Sequence, residues 1–484
     1  MTDPRNILQS MFGTNNRFAN FGNLIVKMRV KGFRCHADTT IDIDSPITAF
    51  CGMNGTGKST LLQLAASCYA SPDPVVSPYY LRDFIVVGPL DPTPFTANAA
   101  VEYKYLNDTV ALKTLTLSRN AHNSRWQGYT RRPKRLVYFA GIGLYLPKIE
   151  QRDFFVRHAS HLQLLNRENV STEIKEWTCK ILGVNYEEVC SHNIRYANQT
   201  KKVGEVKRSG VSYSEAHMGF GEGRSLYLIH MLEEIPNQSL VLIEEPETSL
   251  HPYAQHQFGK YLVDVTSRKH HQVLLTTHSE FILEALHSQS RIYLYKTGGG
   301  ISSVVGLTSL QAKSLMDEGI AKALNVLVED NVGLAVLREI VRRVDPEFLK
   351  SIGIYVGGDE NVIATVVRTL RPTGIPLAAV RDGDMAAIPH ENIFKLPGTL
   401  PPEKEMFQSL TVKALFQDTY NVNLDDFAAT INDVDHHEWF ARLAQRINQD
   451  ESALIMEASR AYVGGVTDND RVSLVTLLKE TTRR

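Results

Sequence analysis

The sequence predicts an α/β chain with two sheet-containing parts, each with a parallel sheet, and a helical tail. Three observations lead there. Residues 52–59 read G-x-x-x-x-G-K-S between a short apolar strand and a helix-forming run. Two further apolar strands, at residues 240–243 and 273–277, end in Glu244-Glu245 and in His278. From residue 324 strand and helix patterns alternate anew, with fresh acids at the strand ends.

The chain has 484 residues, enough for several domains, with 43% hydrophobic and 22% charged residues. A net charge of −1 excludes a global field for DNA, so nucleic-acid contact must come from local patches. The five cysteines form no C-x-x-C pair, which argues against a zinc ribbon and suits a reducing cytoplasm. Residues 1–22 are polar and no long apolar run occurs. No secretory leader and no membrane span are therefore expected, and a cytoplasmic location is.

Residues 24–30 and 39–43 alternate as strands around Gly32-Phe33-Arg34. Phe33 or Arg34 offers a flat face on which an adenine could stack; an edge-strand phenylalanine and a solvated arginine remain the alternative. In the loop that follows, Asn54, Gly55, Thr56 and Gly57 let successive N–H groups converge on an anion. The helix N-terminus at Lys58, Ser59 and Thr60 adds positive potential, with Lys58 for the outer phosphates and Ser59 for Mg²⁺. The pattern calls for a nucleoside triphosphate.

Residues 98–118 alternate as antiparallel strands beside the parallel core. Arg131, Arg132, Lys134 and Arg135 form a basic run that can touch a phosphate backbone or stay a solvated surface. Residues 150–190 read as a helical insertion, and 197–212, with Lys201, Lys202, Lys207 and Arg208, as an exposed basic loop. Residues 218–225 make a second Gly-rich helix N-terminus, with Gly221 and Glu222, hence a second anion site. Glu244 is placed to hold Mg²⁺, Glu245 to polarise a water, and His278 to meet a γ-phosphate.

Phosphate loop, second Gly-rich loop, EEPE-x-x-LHP and T-T-H-S, in this order, resemble an ABC-type ATPase head of the SMC-like and repair branch. The resemblance implies two heads sandwiching two ATPs, so a homodimer or higher oligomer, with Gly221 and Glu222 acting across the interface. Phe220 stands at the signature-serine position, Glu244 where Asp is commoner, and His251 in place of an acid. These departures argue against fast hydrolysis.

Residues 291–313 carry Gly298-Gly299-Gly300 and have a hinge-like composition. Beyond them, Glu329 ends one apolar strand, and Asp382 and Asp384 follow another. In extended chain the two aspartates face the same way, and three carboxylates at one spot call for Mg²⁺ or Mn²⁺. This half resembles a Toprim domain, which implies Glu329, Asp382 and Asp384 as catalytic metal ligands with Glu403 as a further one. Asp330 stands where the family often has Gly, and either substitutes as a ligand or weakens the site.

An ABC head followed by Toprim resembles the OLD-family nucleases (overcoming lysogenisation defect). That resemblance implies an ATP-binding, metal-dependent DNA endonuclease of antiphage defence, with domains at 1–308, 309–405 and a helical 406–484. DNA and a defence-system protein or nucleic acid are the implied partners, and no membrane. The alternative is an ATP-driven SMC-like switch or scaffold whose Toprim domain is degenerate.

Overall fold

The computed structural model describes residues 3–107, 111–119, 125–146, 150, 154–317, 322–373, 375–431 and 433–482. The chain divides into two compact units, Met1–Ala312 and Lys313–Arg484.

The first unit is built on a six-stranded sheet. Its order is Gly300–Val305, Arg291–Thr297, Ile47–Gly52, Gln272–Thr276, Leu240–Glu244, Val137–Ala140. All neighbours are parallel except the first pair, a hairpin. Ile47, Ala49, Phe50, Leu240 to Ile243 and Val273 to Leu275 are buried, as strands covered on both faces must be. The hinge reading of residues 291–313 is thus corrected. Residues 291–305 complete the sheet, and the glycines make its hairpin turn, with Gly300 at φ +129°; only the last residues of that stretch lie at the boundary between the units.

A five-stranded antiparallel sheet stands beside this core, with Ile25–Phe33 between His36–Asp42 and Phe95–Leu106. Phe33 is fully buried and stacks on Trp126 at 5.5 Å, so it is a core residue and offers no face to an adenine. Arg34 remains exposed and donates to Thr60 Oγ1 at 3.2 Å.

The expected helical insertion is only partly helical. The helix Thr172–Leu182 is there, but Gln163–Asn169 is a strand, recruited by antiparallel pairing with Glu188–Tyr196 despite its lack of alternation. Residues 151–153 of that stretch lie outside the described residues. The expected basic loop is a hairpin, Gln199–Arg208 with Val211–Ser214, turning at Ser209 and Gly210. Its charge is largely matched: Lys202 pairs with Glu234 at 2.6 Å and Glu168 at 3.2 Å, and Lys207 with Glu188 at 3.2 Å.

The basic run at 131–135 divides in two. Arg131 and Lys134 are exposed. Arg135 is buried and donates to the carbonyls of Asn23, Phe21, Gln238 and Ser239 and to Gln272 Oε1, at 2.6–3.4 Å. Arg132 donates to Tyr79 O and lies over the rings of Tyr80 and Tyr129. Half of the proposed phosphate-binding patch is therefore committed to holding the fold.

The second unit carries four parallel strands in the order Ile352–Val356, Leu324–Val328, Leu377–Arg381, Ile393–Lys395. Alternate residues face opposite ways: Ala378 and Val380 pack with the helix Asn331–Val344, Leu377 and Ala379 with the helix Glu360–Leu370. Helices dominate from Pro402 to Glu480. Phe407, Phe416, Phe440, Leu454 and Leu478 join the core of the sheet and the helix Asn331–Val344, so sheet and helical tail share one core.

Arg135→Ala strands several buried carbonyls, and the loss is expected on the order of 3 kcal/mol in urea denaturation. Arg131→Ala should shift stability by less than ~0.5 kcal/mol. Equal effects would contradict this division of the basic run.

Candidate functional sites

In the first unit, register brings the motifs together. Phe50 lies beside Thr276, and Thr276 beside Glu244, so three strands end at one edge. There the chain turns into the phosphate loop, with Gly55 at φ +75° and Gly57 at φ +80°. A Cβ at Gly57 would lie 2.2 Å from His36 Nε2, whose ring bonds the Gly57 carbonyl at 3.1 Å. His36 buttresses the loop from the neighbouring sheet, a role that its isolated place in the sequence did not signal.

Lys58 begins the helix Lys58–Ala66. Its Nζ is folded onto its own loop, donating to Gly52 O at 2.8 Å and Met53 O at 3.1 Å. A phosphate must replace those carbonyls. Asn54, Gly55 and Ser59 are exposed, while Thr56 and Thr60 are buried beneath the loop. Thr56 Oγ1 donates to Met53 O, so Thr56 shapes the loop through its side chain.

Glu244 ends its strand, and Arg224, buried in the helix Phe220–Glu234, donates to the Glu244 carbonyl at 2.5 Å. Glu245 sits at φ +43°, a strained conformation for a side chain of this kind that costs about 1 kcal/mol or more. Burial, and then Glu247, push its carboxyl above the ordinary range. Glu247 accepts from Thr277 Oγ1 and from the backbone N–H of His278, and His278 Nε2 stands 3.5 Å from Glu245 Oε1. Gly221 packs against Ser249, where a Cβ would lie 2.3 Å from its carbonyl oxygen. Glu222 accepts from Tyr186 and Tyr213 at 2.6 and 2.7 Å, so its carboxylate is engaged within its own unit. The chemistry of this donor set fits a nucleoside triphosphate with Mg²⁺. Amide nitrogens, Lys58 and Arg224 supply positive charge, and Ser59 and Glu244 supply oxygen ligands.

In the second unit, Glu329 and Asp382 follow adjacent parallel strands. Asp382 N donates to Glu329 Oε1 at 3.0 Å. Contrary to the extended reading, Asp382-Gly383-Asp384 is a turn just beyond the strand, with Asp382 buried and Asp384 exposed. Gly383 is required by close approach, since a Cβ would lie 2.8 Å from Leu400 O. Lys395 Nζ clamps the turn by donating to Gly383 O at 2.7 Å and Gly398 O at 3.2 Å.

Asp330 caps the next helix, accepting from Gly333 N at 2.8 Å with one oxygen, while the other lies 3.4 Å from His437 Nδ1. Glu403 is fully buried, and among the described residues no donor lies within hydrogen-bond geometry of either of its oxygens. Burial, and then the charge of Glu329, push Asp382 up to about 8. Burial raises Glu329 and Glu403 as well, helped at Glu403 by the charge of Asp330. The charge of Glu360 also acts on Glu329 and Asp382. Sequence reasoning passed over this residue, although Asp359-Glu360 stands just after a strand as the other acids do. The charges of these acids act on one another, although among the described residues no three of Glu329, Asp382, Asp384 and Glu403 bring ligand oxygens within 4.8 Å of one another; drawn together they would fit a divalent cation such as Mg²⁺ or Mn²⁺.

A family profile described as AAA ATPase domain matches residues 161–283, and one described as AAA domain matches residues 27–70. Both fall within the first unit, which carries an ATPase domain. No curated protein matches the chain. Among solved structures, the chain is similar to the Smc head domain of Pyrococcus furiosus bound to the C-terminal domain of ScpA. The identity is 14% and the TM-score 0.39, over 61% of this chain and 99% of that one. The SMC head of Thermotoga maritima is 15% identical, with TM-score 0.36, over 58% and 98%. An SmcHead bound to the C-winged helix domain of ScpA is 16% identical, with TM-score 0.39, over 58% and 96%. Among the described residues, no helix is long and apolar enough to cross a membrane.

Lys58→Ala should weaken ATP binding by at least ~100-fold, whereas Glu245→Gln should retain binding and lose phosphate release. Nucleotide titration and a phosphate assay check this; unchanged hydrolysis in both variants contradicts the assignment.

Asp382 also makes stability depend on pH. Its folded value, about 8, exceeds the ordinary 3.8, so folding takes up a proton between them. Its contribution is fully present below the unfolded value and is lost as pH rises through the folded one. Metal-free protein should therefore melt lower at about pH 9 than at about pH 6, and Mn²⁺ should restore the loss. Asp382→Asn should flatten the slope; calorimetry showing the same slope in the variant contradicts it.

Proposed function

We propose that this chain is an ATP-binding, divalent-metal-dependent DNA endonuclease in which an ABC-type head regulates or assembles a Toprim nuclease. The observation that carries the reading is the carboxylate set of buried Asp382 and Glu403 with half-buried Glu329, and with exposed Asp384 at its rim. These residues would hold Mg²⁺ or Mn²⁺. When bound, the cation supplies Lewis acidity at a phosphodiester and lowers the pKa of a coordinated water.

The chain's own groups position and exclude. Glu329 fixes the backbone of Asp382, Lys395 clamps the turn that presents Asp384, and the wall around Glu403 keeps out bulk water. In the head, Lys58 and Ser59 would bind the phosphates and Mg²⁺, Glu244 would complete the ion's shell, and Glu245 with His278 would orient the water. Gly221 would complete the site of a second head in a homodimer. The order of the two units, as in OLD-family nucleases, supports a role in antiphage defence. DNA is the substrate, with exposed Arg131 and Lys134 as candidate backbone contacts.

Plasmid cleavage with Mg²⁺ or Mn²⁺, with and without ATP, tests the proposal. Wild-type protein should cut. Asp382→Ala should reduce cutting by at least ~10³-fold and keep ATP binding. A wild-type protein that hydrolyses ATP but cuts no DNA would instead return the ATP-driven scaffold.

A further inference from the structure

The carboxylates of the second unit are met from one side by two imidazoles. His436 and His437 lie on the single turn His436–Glu438, which Asp435 fixes by accepting from His437 N at 3.1 Å. His437 Nδ1 is 3.4 Å from Asp330 Oδ2 and 3.7 Å from Glu403 Oε1. One ligand atom from each of Glu403, His436 and His437 lies within 4.8 Å of the others. Glu403 is the second, independent sign of a ligand here, being fully buried with neither oxygen hydrogen-bonded among the described residues.

A bare ion pair would explain His437 beside Asp330. It does not explain a second ring next to the first, their centroids 4.1 Å apart, with His436 also within ligand reach of the buried carboxylate. Two imidazoles and a carboxylate are a mixed nitrogen and oxygen donor set. Mg²⁺ takes oxygen ligands in a near-octahedral shell and disfavours imidazole, whereas Mn²⁺ through Zn²⁺ accept it.

We propose that His436, His437 and Glu403 form a coordination position at the edge of the carboxylate cluster that takes a divalent transition-metal ion in preference to Mg²⁺. The inference rests on the metal-site reading given above and adds nitrogen ligation and selectivity to it. Glu403 then belongs both to the oxygen set with Glu329 and Asp382 and to the side that the histidines occupy.

Pulsed electron paramagnetic resonance of Mn²⁺ bound to the full chain, in excess Mg²⁺, reads this directly. Wild-type protein should show the ¹⁴N echo modulation of a directly bound imidazole. His436→Gln/His437→Gln should lose it and weaken Mn²⁺ binding by at least ~10-fold, with Mg²⁺ affinity unchanged. Where the double variant does not fold, His437→Gln, on a half-exposed ring, serves as the second probe. Tight, Asp382-dependent Mn²⁺ binding without ¹⁴N modulation overturns this inference and leaves the carboxylate site standing. A protein that binds no Mn²⁺ overturns both.

Discussion

Both units depend on one constraint: carboxylates delivered to the ends of parallel strands, where burial makes their charge costly. A buried, unpaired carboxylate costs several kcal/mol, so a cation, a proton or a donor must meet it. In the first unit part of the answer is built in. Arg224 lies buried behind Glu244, and Thr277 and the His278 backbone donate to Glu247. In the second unit it is not. Among the described residues, no lysine or arginine is ion-paired with Glu329, Asp382 or Glu403, and the nearby Lys395 spends its ammonium on carbonyls. Burial instead raises the affinity of these carboxylates for protons, which a divalent ion would displace.

The two sites differ in preparation. The phosphate loop is shaped in advance by Gly55, Gly57 and the buttress of His36, yet Lys58 occupies its own carbonyls and must be drawn off by the ligand. Exchange of this kind keeps a buried ammonium satisfied in both states. The carboxylate cluster has no such substitute, and its geometry rests on backbone: the Asp382 N–H on Glu329, the tight Gly383, the Asp330 helix cap.

What the sequence disclosed follows physical range. The phosphate loop, the acidic strand ends and the strand–helix alternation are local patterns, and their strands lie where periodicity put them, within a few residues. Features set by distant packing were hidden. Phe33 reads as a loose aromatic until Trp126 closes over it, and Arg135 reads as surface charge until four carbonyls from two other stretches, residues 21–23 and 238–239, surround it. His436 and His437 lie 54 and 55 residues beyond Asp382, on a turn without a motif, and only folding brings His437 to Asp330. Gln163–Asn169 shows the same limit for secondary structure, since a strand lacking alternation is made by its partner.

Anomalous diffraction at the manganese edge from crystals soaked in Mn²⁺ tests the central claim most directly. The account predicts a peak bounded by Glu329, Asp382 and Glu403, absent in Asp382→Asn crystals grown alike. A well-ordered wild-type site without any peak, its carboxylates unchanged at saturating Mn²⁺, would contradict it.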